Sequence, residues 1–416
     1  MPAFRIHFLL TVLVSSVAGD VWNSDRSSGK HLGHRFRERL LEPFKNNISP
    51  DLVRCLAGHI EKHFKGFDRQ AYEAEILSGL DALELKQRAR LIADVTDRHL
   101  PAPLEERFAI LEAILHPMME AAFDRGSDEK GIRGWGIMPL GMVVSDCGLE
   151  DFEASFALLK EMTKRATAEF DVRPFLAKDQ ERALSIMAPW VRDDSVHVRR
   201  LVSEGTRPRL PWGLRLKRLV EDPSPTLPLL EALKDDPEDY VRRSVANHLN
   251  DIAKDHPDLV AEIAARWLKG AGKNREKLLR HACRSLIKQG HTATLEAFGL
   301  NPPEIRVEGP RIATASITYG EAVGFDIELV STAAKPQELV LDYLVHFRKA
   351  NGTLAPKVFK WSKLTLAPGE RLSLSRKHAI RPITTRVYYG GMQAVSLRIN
   401  GRDFGFSEFE LVMPTS

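Results

Sequence analysis
One helix start occurs three times in this chain at nearly even intervals, and that periodicity constrains the fold more than any other feature. His197 opens HVRRLVSEG, Tyr240 opens YVRRSVANHLNDIAKDHPDLV and Leu278 opens LLRHACRSLIKQG. Anchored on Val198, Val241 and Leu279, the copies stand 43 and 38 residues apart. Acidic turns, Asp193-Asp194 and Asp235-Asp236-Pro237, precede the first two. A period of about 40 residues with an acidic turn before an amphipathic helix reads as a HEAT-type helical repeat. One helix pair cannot bury its apolar face alone, so neighbours must stack into a solenoid. Upstream, Ala71–Thr96, Leu104–Met119 and Phe152–Phe170 carry apolar residues at helical spacing, the last with Phe152, Phe156, Leu158, Leu159 and Met162 on one broad face. Pro139, Pro174, Pro211 and Pro237 punctuate these segments.

The period changes after Asn301-Pro302-Pro303. Leu341, Tyr343, Val345 and Phe347 now alternate with Asp342 and His346, and Val395, Leu397 and Ile399 with Ser396, Arg398 and Asn400. Asn351-Gly352, Pro368-Gly369, Gly390-Gly391 and Asn400-Gly401 supply turns. About seven short strands with this turn chemistry predict an immunoglobulin-type sandwich. The expected fold is therefore mainly α, a HEAT-like helical-repeat solenoid followed by a C-terminal all-β immunoglobulin-like sandwich. The expected divisions are an N-terminal extension over residues 1–40, the repeat domain over 41–302 and the sandwich over 303–416. No cysteine follows Cys283, so the sandwich has no inter-sheet disulfide, which suits a reducing compartment.

Charge is informative through its distribution. A formal net charge of +4 carries no nucleic-acid inference by itself. Residues 197–219, however, hold Arg199, Arg200, Arg207, Arg209, Arg215, Lys217 and Arg218 against the single acid Glu204. Residues 269–288 set Lys269, Lys273, Arg275, Lys277, Arg280, Arg284 and Lys288 against Glu276 alone. Two such strips on neighbouring repeats suit a groove that follows a phosphate backbone, and equally suit solvated helix faces. At the N-terminus, Ile6–Gly19 has the form of a signal-peptide core, with Val17-Ala18-Gly19 resembling a cleavage site. An upstream extension from a mis-assigned start codon is the competing reading. The rest of the chain favours the cytoplasm, with export as the alternative.

Several chemistries are excluded. Cys55, Cys147 and Cys283 form no Cys-x-x-Cys pair, so neither a zinc nor a redox site is expected. His59 and His63 lack the glutamate that a metalloprotease places directly after its first histidine, and read as a surface pair. Gly270 to Asn274 lacks the remaining glycine and the hydroxyl residue of a phosphate-binding loop. No Gly-x-Ser-x-Gly elbow occurs.

Three acids stand out by neighbourhood. Glu169 lies four residues before Arg173 at the predicted end of a helix, Glu204 four after Arg200, and Asp251 shares a helix face with Arg243 and Asn247. Stacked repeats would bring the three onto one surface. The plain alternative is three exposed ion pairs, each worth under about 1 kcal/mol.

Three motifs now matter together: TAEFDVRPF from Thr167, HVRRLVSEGTRPRLPW from His197 and YVRRSVANHLND from Tyr240. Through them, residues from about 41 to 416 resemble the AlkC branch of the HEAT-like-repeat alkylpurine DNA glycosylases. The resemblance implies monofunctional base excision of cationic alkylated bases, chiefly N3-methyladenine and N3-methylcytosine, from double-stranded DNA without flipping the lesion from the duplex. It places the functional acids on Glu169, Glu204 and Asp251 and an aromatic lesion or sugar contact on Trp212. The basic strips become DNA contacts at Arg173, Arg199, Arg200, Arg207, Arg209, Arg243, Asn247, Lys273 and Arg275. In the sandwich, a loop over Tyr388–Gln393 offers Tyr388 and Tyr389 to a groove, flanked by Arg386 and Arg398. No cofactor, metal or membrane is expected, and a monomer is. The N-terminal extension departs from the family pattern, as does Asp171-Val172 where a more apolar dipeptide is expected. A HEAT-repeat scaffold that binds nucleic acid or protein without catalysis is the alternative.

Overall fold
The computed structural model describes residues 43–117, 126–383 and 386–414. The signal-like segment Ile6–Gly19 and the rest of the extension fall outside them. In chain order the helices are α1 (Pro50–His63), α2 (Arg69–Leu80), α3 (Leu85–His99), α4 (Leu104–Ala113), α5 (Ile137–Cys147), α6 (Phe152–Thr163), α7 (Arg173–Lys178) and α8 (Gln180–Met187). Then come α9 (Val196–Gly205), α10 (Lys217–Glu221), α11 (Leu227–Leu233), α12 (Asp239–Ile252), α13 (Pro257–Leu268), α14 (Lys273–Ala282), α15 (Arg284–Gln289) and α16 (Thr292–Ala297). The chain forms two compact units. One takes the described residues up to Asp255 together with 273–282; the other takes 256–272 and the described residues from Cys283 onward.

In the first unit, local chemistry sets the helix starts. Ser49, Asp68, Asp151 and Asp179 each accept an amide of the first turn, at 3.0–3.3 Å. The expected helix over Ala71–Thr96 is two helices, because Glu84 and Gln87 form a capping box that starts α3 afresh. Likewise α6 stops at Thr163, so Glu169 sits in an irregular turn rather than at a helix end. The five apolar residues named for α6 are all buried.

The repeat is real in three dimensions. Helix α9 packs on α12 and α12 on α14. The anchors Val198, Val241 and Leu279 are each at most 1% exposed. The acidic turns also have a physical role. Arg199 of one copy makes a two-pronged contact with Asp236, which precedes the next, at 2.7 and 3.2 Å. From the other side Arg275, just ahead of the third anchor Leu279, makes the same two-nitrogen contact with Asp235 of that turn. The acidic turn before the second copy is thus fastened to the copies on both sides of it.

In the second unit, eight strands make two sheets, ordered β1-β3-β6 and β2-β8-β7-β4-β5. They are β1 (Ile305–Ile312), β2 (Ser316–Thr318), β3 (Ala322–Ser331), β4 (Gln337–Arg348), β5 (Leu354–Leu366), β6 (Arg371–Ala379), β7 (Gly391–Ile399) and β8 (Arg402–Val412). Leu341, Tyr343, Val345 and Phe347 enter the core with Val395, Leu397 and Ile399, as the alternation predicts. The opposite face of β4 is covered as well: Asp342 and Leu344 are buried. Arg398 donates to the Lys288 carbonyl at 2.9 Å and Asn400 to the Asn301 carbonyl at 2.9 Å. Gly290 and Gly401, both at positive φ, approach so closely that a Cβ on either would meet the other's backbone at 2.4–2.5 Å. Helices α15 and α16 thus share a unit with the sandwich. Among the described residues, no helix is long and apolar enough to cross a membrane.

Candidate active site
The three acids picked out by sequence converge in the first unit. Arg200 on α9 donates to Glu169 at 2.8 Å with one nitrogen and lies 3.7 Å from Glu204 with the other. Arg207, just past the end of α9, donates to Glu204 at 2.6 Å and to Asp251 of α12 at 2.8 Å. One continuous chain of charge therefore runs Glu169–Arg200–Glu204–Arg207–Asp251. All five side chains are at most 15% exposed. The exposed-ion-pair alternative does not describe them.

Each carboxylate has a distinct environment. Glu204 is fully engaged: Oε1 faces both arginines, and Oε2 accepts from the Ser244 hydroxyl at 2.6 Å. Burial pushes its carboxyl up, but Arg200, Arg207 and Ser244 outweigh that and hold it at about 2. Glu169 receives Arg200 and the Thr167 hydroxyl (3.0 Å) on Oε2 alone, which leaves Oε1 without a protein partner among the described residues. Asp251 accepts from Arg207 on Oδ2 and, at 2.7 Å, on Oδ1 from Lys254, whose side chain is half exposed. Burial disfavours the charge of Arg200, yet Tyr240 and the two glutamates raise its pKa further, and the guanidinium stacks 4.7 Å from the Tyr240 ring.

Trp212 lies on the loop between α9 and α10. It is one of two non-glycine residues with positive φ, at 67°, among the described residues. That conformation costs a tryptophan on the order of 1 kcal/mol and needs outside support. Arg173 provides it from the interior. Fully buried, it donates Nε to the Leu214 carbonyl at 2.6 Å and Nη1 to the carbonyls of Gly205 and Arg207 at 2.8 Å. Burial, with Arg207 beside it, lowers its pKa to about 10. From α3, Lys86 donates to the Trp212 carbonyl at 2.7 Å.

The expected DNA contacts divide into several kinds. Arg173 is an internal clamp, and Arg200 and Arg207 hold carboxylates. Arg199, Arg209 and Arg275 each face an aspartate through two nitrogens, Arg209 facing Asp255 at 2.6 and 2.7 Å. Arg243 lies 3.6 Å from Asp239, and Asn247 bonds His281 at 2.9 Å. Lys273 is exposed, and no carboxylate pairs with it among the described residues; the same holds for Arg215, Lys217 and Arg218. Tyr388 packs on Phe347 and Tyr319, whereas Tyr389 is 39% exposed. Strand β7 begins at Gly391, so the loop is shorter than expected. Arg386 stacks on Phe347, and Arg398 binds Asp403 and the Lys288 carbonyl. His59 is buried on the Asp128 carbonyl rather than at the surface. No group of three metal-ligating side chains occurs among the described residues.

Sequence reasoning missed Ser244, Tyr240, Lys254 and Lys86, which touch the charge chain or the Trp212 loop. The first two were within reach: residues 240, 244 and 251 share the helix face that meets α9, at spacings of four and seven.

Comparison with known proteins decides the family. The model of the DNA alkylation repair enzyme family matches residues 157–286, which contain the whole charge chain and Trp212. The model described as YhaZ, C-terminal Ig-like domain, matches residues 306–413. The Bacillus subtilis protein YhaZ, described as uncharacterized, is 34% identical over 359 residues, 86% of this chain and 96% of that one. The chain belongs to the DNA alkylation repair family. The solved structure of Pseudomonas fluorescens AlkC, an alkylpurine DNA glycosylase bound to DNA containing an abasic site analog, superposes with a TM-score of 0.78. It is 35% identical and covers 89% of this chain and 100% of its own. Solenoid, immunoglobulin-like domain and acidic cluster therefore occur here in a protein of the DNA alkylation repair family.

Proposed function
We propose that this chain is a monofunctional DNA glycosylase that hydrolyses the N-glycosidic bond of cationic alkylated bases, N3-methyladenine and N3-methylcytosine, in duplex DNA. The observation that carries the proposal is the buried chain of three carboxylates and two arginines. A scaffold has no physical reason to bury three acids together. An enzyme that meets a cation does.

N3-methyladenine already carries the positive charge that makes it a leaving group, so no proton need be donated to it. The C1′–N bond breaks with both electrons going to the base, which leaves neutral. The sugar is left as an oxocarbenium ion, and water adds to C1′ and loses a proton. Carboxylates in a desolvated site stabilise the developing sugar charge, as in glycoside hydrolysis. Glu169 Oε1 and Asp251 Oδ1 are the oxygens available for this: among the described residues, the first is unpartnered and the second is covered only by half-exposed Lys254. Either can hold the water and accept its proton. Glu204, with both oxygens occupied, braces Arg200 and Arg207 so that the outer acids keep their positions. Trp212 offers a ring face to the sugar or the lesion.

Phosphate contacts fall to exposed cations without carboxylate partners among the described residues, Lys273, Arg215, Lys217 and Arg218. Tyr389 is the residue of the sandwich loop best placed to enter a groove. The protein acts as a monomer in the cytoplasm, where its duplex substrate lies. Release of N3-methyladenine from methylated duplex DNA tests the proposal. Release by the wild type, and its loss in Glu169→Gln and Asp251→Asn variants that still fold, is the expected result.

A further inference from the structure
Asp251 has one oxygen held from the interior and one held from solvent. Oδ2 accepts from the buried Arg207 guanidinium. Oδ1 accepts at 2.7 Å from Lys254, whose side chain is half exposed although that of Asp251 is 3% exposed. Lys254 stands three residues further on, in the turn that follows α12, so one long side chain reaches back from solvent to cover the carboxylate. Three carboxylates and two guanidiniums give the ion-paired chain one net negative charge, and this ammonium cancels it. A half-exposed pair is held weakly, because water competes for both partners. The covered state cannot act on a sugar. With the ammonium 2.7 Å from Oδ1, no sugar carbon can take that place, and an oxocarbenium ion would face a cation in front of a cluster without net charge. Uncovered, the same cluster meets the sugar with one negative charge.

We infer that Lys254 exchanges Asp251 for a phosphate of the bound strand, so that contact with DNA itself uncovers the acid. The inference rests on the proposed glycosylase function and adds to it a phosphate contact coupled to an active-site carboxylate. The anion that the exchange needs is already part of the substrate. A deoxyribose within a strand carries a phosphate on each side, so a sugar brought before Oδ1 brings phosphate within reach of a flexible four-carbon stem. The ammonium is a compact point charge that binds a carboxylate or a phosphate oxygen alike. When it swings away, Arg207 remains on Oδ2 and keeps the acid in place. In the free protein the acid is covered and the cluster is balanced. On the strand the lysine neutralises phosphate, and the cluster recovers its charge where the cationic sugar forms.

The test uses the full chain and two uncleavable duplexes of one sequence. One carries a tetrahydrofuran sugar, which is neutral. The other carries a pyrrolidine sugar, whose protonated ring nitrogen supplies the charge of the oxocarbenium ion. The ratio of their dissociation constants is the cation preference. Asp251→Asn lowers the wild-type preference, which shows that the ratio reads this acid. Lys254→Met loses about one unit of salt slope on both duplexes and keeps the wild-type preference within about twofold, because in the bound wild type the ammonium has already left Asp251. Lys254→Arg, which keeps a cation, keeps the slope. Three results overturn the inference: an unchanged slope in Lys254→Met, which leaves the lysine off the phosphates; a preference that rises or falls several-fold in that variant, which leaves the lysine on Asp251 in the complex as a cover or a support; or an undiminished preference in Asp251→Asn, which takes the acid away from the sugar. Both readouts are of binding, so the glycosylase reading fails separately. A wild type that shows the expected pattern but releases no methylated base sinks that reading and leaves the exchange standing. Release of methylated bases with an unchanged slope in Lys254→Met does the reverse.

Discussion

Arg207→Met is the perturbation that most directly loads the charge chain. The guanidinium is 9% exposed and serves Glu204 at 2.6 Å and Asp251 at 2.8 Å. Its removal takes a cation from each of two buried carboxylates, and breaking a buried pair from one side costs about 3–5 kcal/mol. A second route gives a similar size. Glu204 is held at about 2 against an ordinary 4.5, jointly by Arg200, Arg207 and Ser244. At about 1.4 kcal/mol per unit, that is roughly 3 kcal/mol of preference for the ionised carboxylate. The sign over pH follows from the downward shift. In the wild type this stabilisation is complete above the ordinary carboxylate pKa and is lost as pH falls toward 2. In the variant Glu204, left with Arg200 at 3.7 Å and the Ser244 hydroxyl, takes up a proton at higher pH than in the wild type, which relieves the penalty. Urea denaturation at pH 8, 6 and 4 should therefore find the variant about 3–5 kcal/mol less stable at pH 8, with the gap closing toward pH 4. A loss below about 1 kcal/mol at pH 8, or a gap that widens on acidification, would refute the reasoning.

Glu169→Gln and Asp251→Asn should each slow base release by about 10²–10³ while leaving duplex affinity intact, as single-turnover and binding assays would report; full activity in both removes the acids from the chemistry. Asp171→Asn should stabilise the protein at pH 8 and be nearly neutral at pH 4. Burial, then Glu169 and Asp146, raise the Asp171 carboxyl to about 8, so its ionisation costs roughly 1.4 kcal/mol per pH unit between about 4 and 8; equal stability of the two proteins at pH 8 contradicts this. Lys273→Gln combined with Arg215→Gln should lower the salt slope of duplex binding by about one unit per true contact and weaken all sequences alike, and an unchanged slope places the phosphates elsewhere.

The repeats were legible because the apolar anchors recur in register in all three copies and the arginine pair and acidic turn in the first two. The sandwich was legible through alternation at Leu341–Phe347 and Val395–Ile399. Burial of Asp342 and Leu344 was not, because alternation reveals one covered face and says nothing of helices laid over the other. The three acids were visible as candidates, but the spacing that marked Glu204, four residues from Arg200, is also that of a surface ion pair. Only the fold distinguishes the two, by burying both partners. The same ambiguity made Arg200 and Arg207 look like phosphate ligands, since a count of cations along a strip ignores acids delivered from other helices. Lys86 could not be found this way: it meets Trp212 across 126 residues of sequence.

The central claim is that this acidic cluster cleaves the glycosidic bond of cationic bases, and product analysis tests it most directly. Purified protein is incubated with methylated duplex DNA in the presence of EDTA, and released bases are separated and quantified. The account predicts free N3-methyladenine and N3-methylcytosine, abasic sites in equal number, no strand cleavage by the protein, and no release by a folded Glu169→Gln, Asp251→Asn double variant. Release undiminished in that double variant, or no release of a methylated base by the wild type, would contradict it.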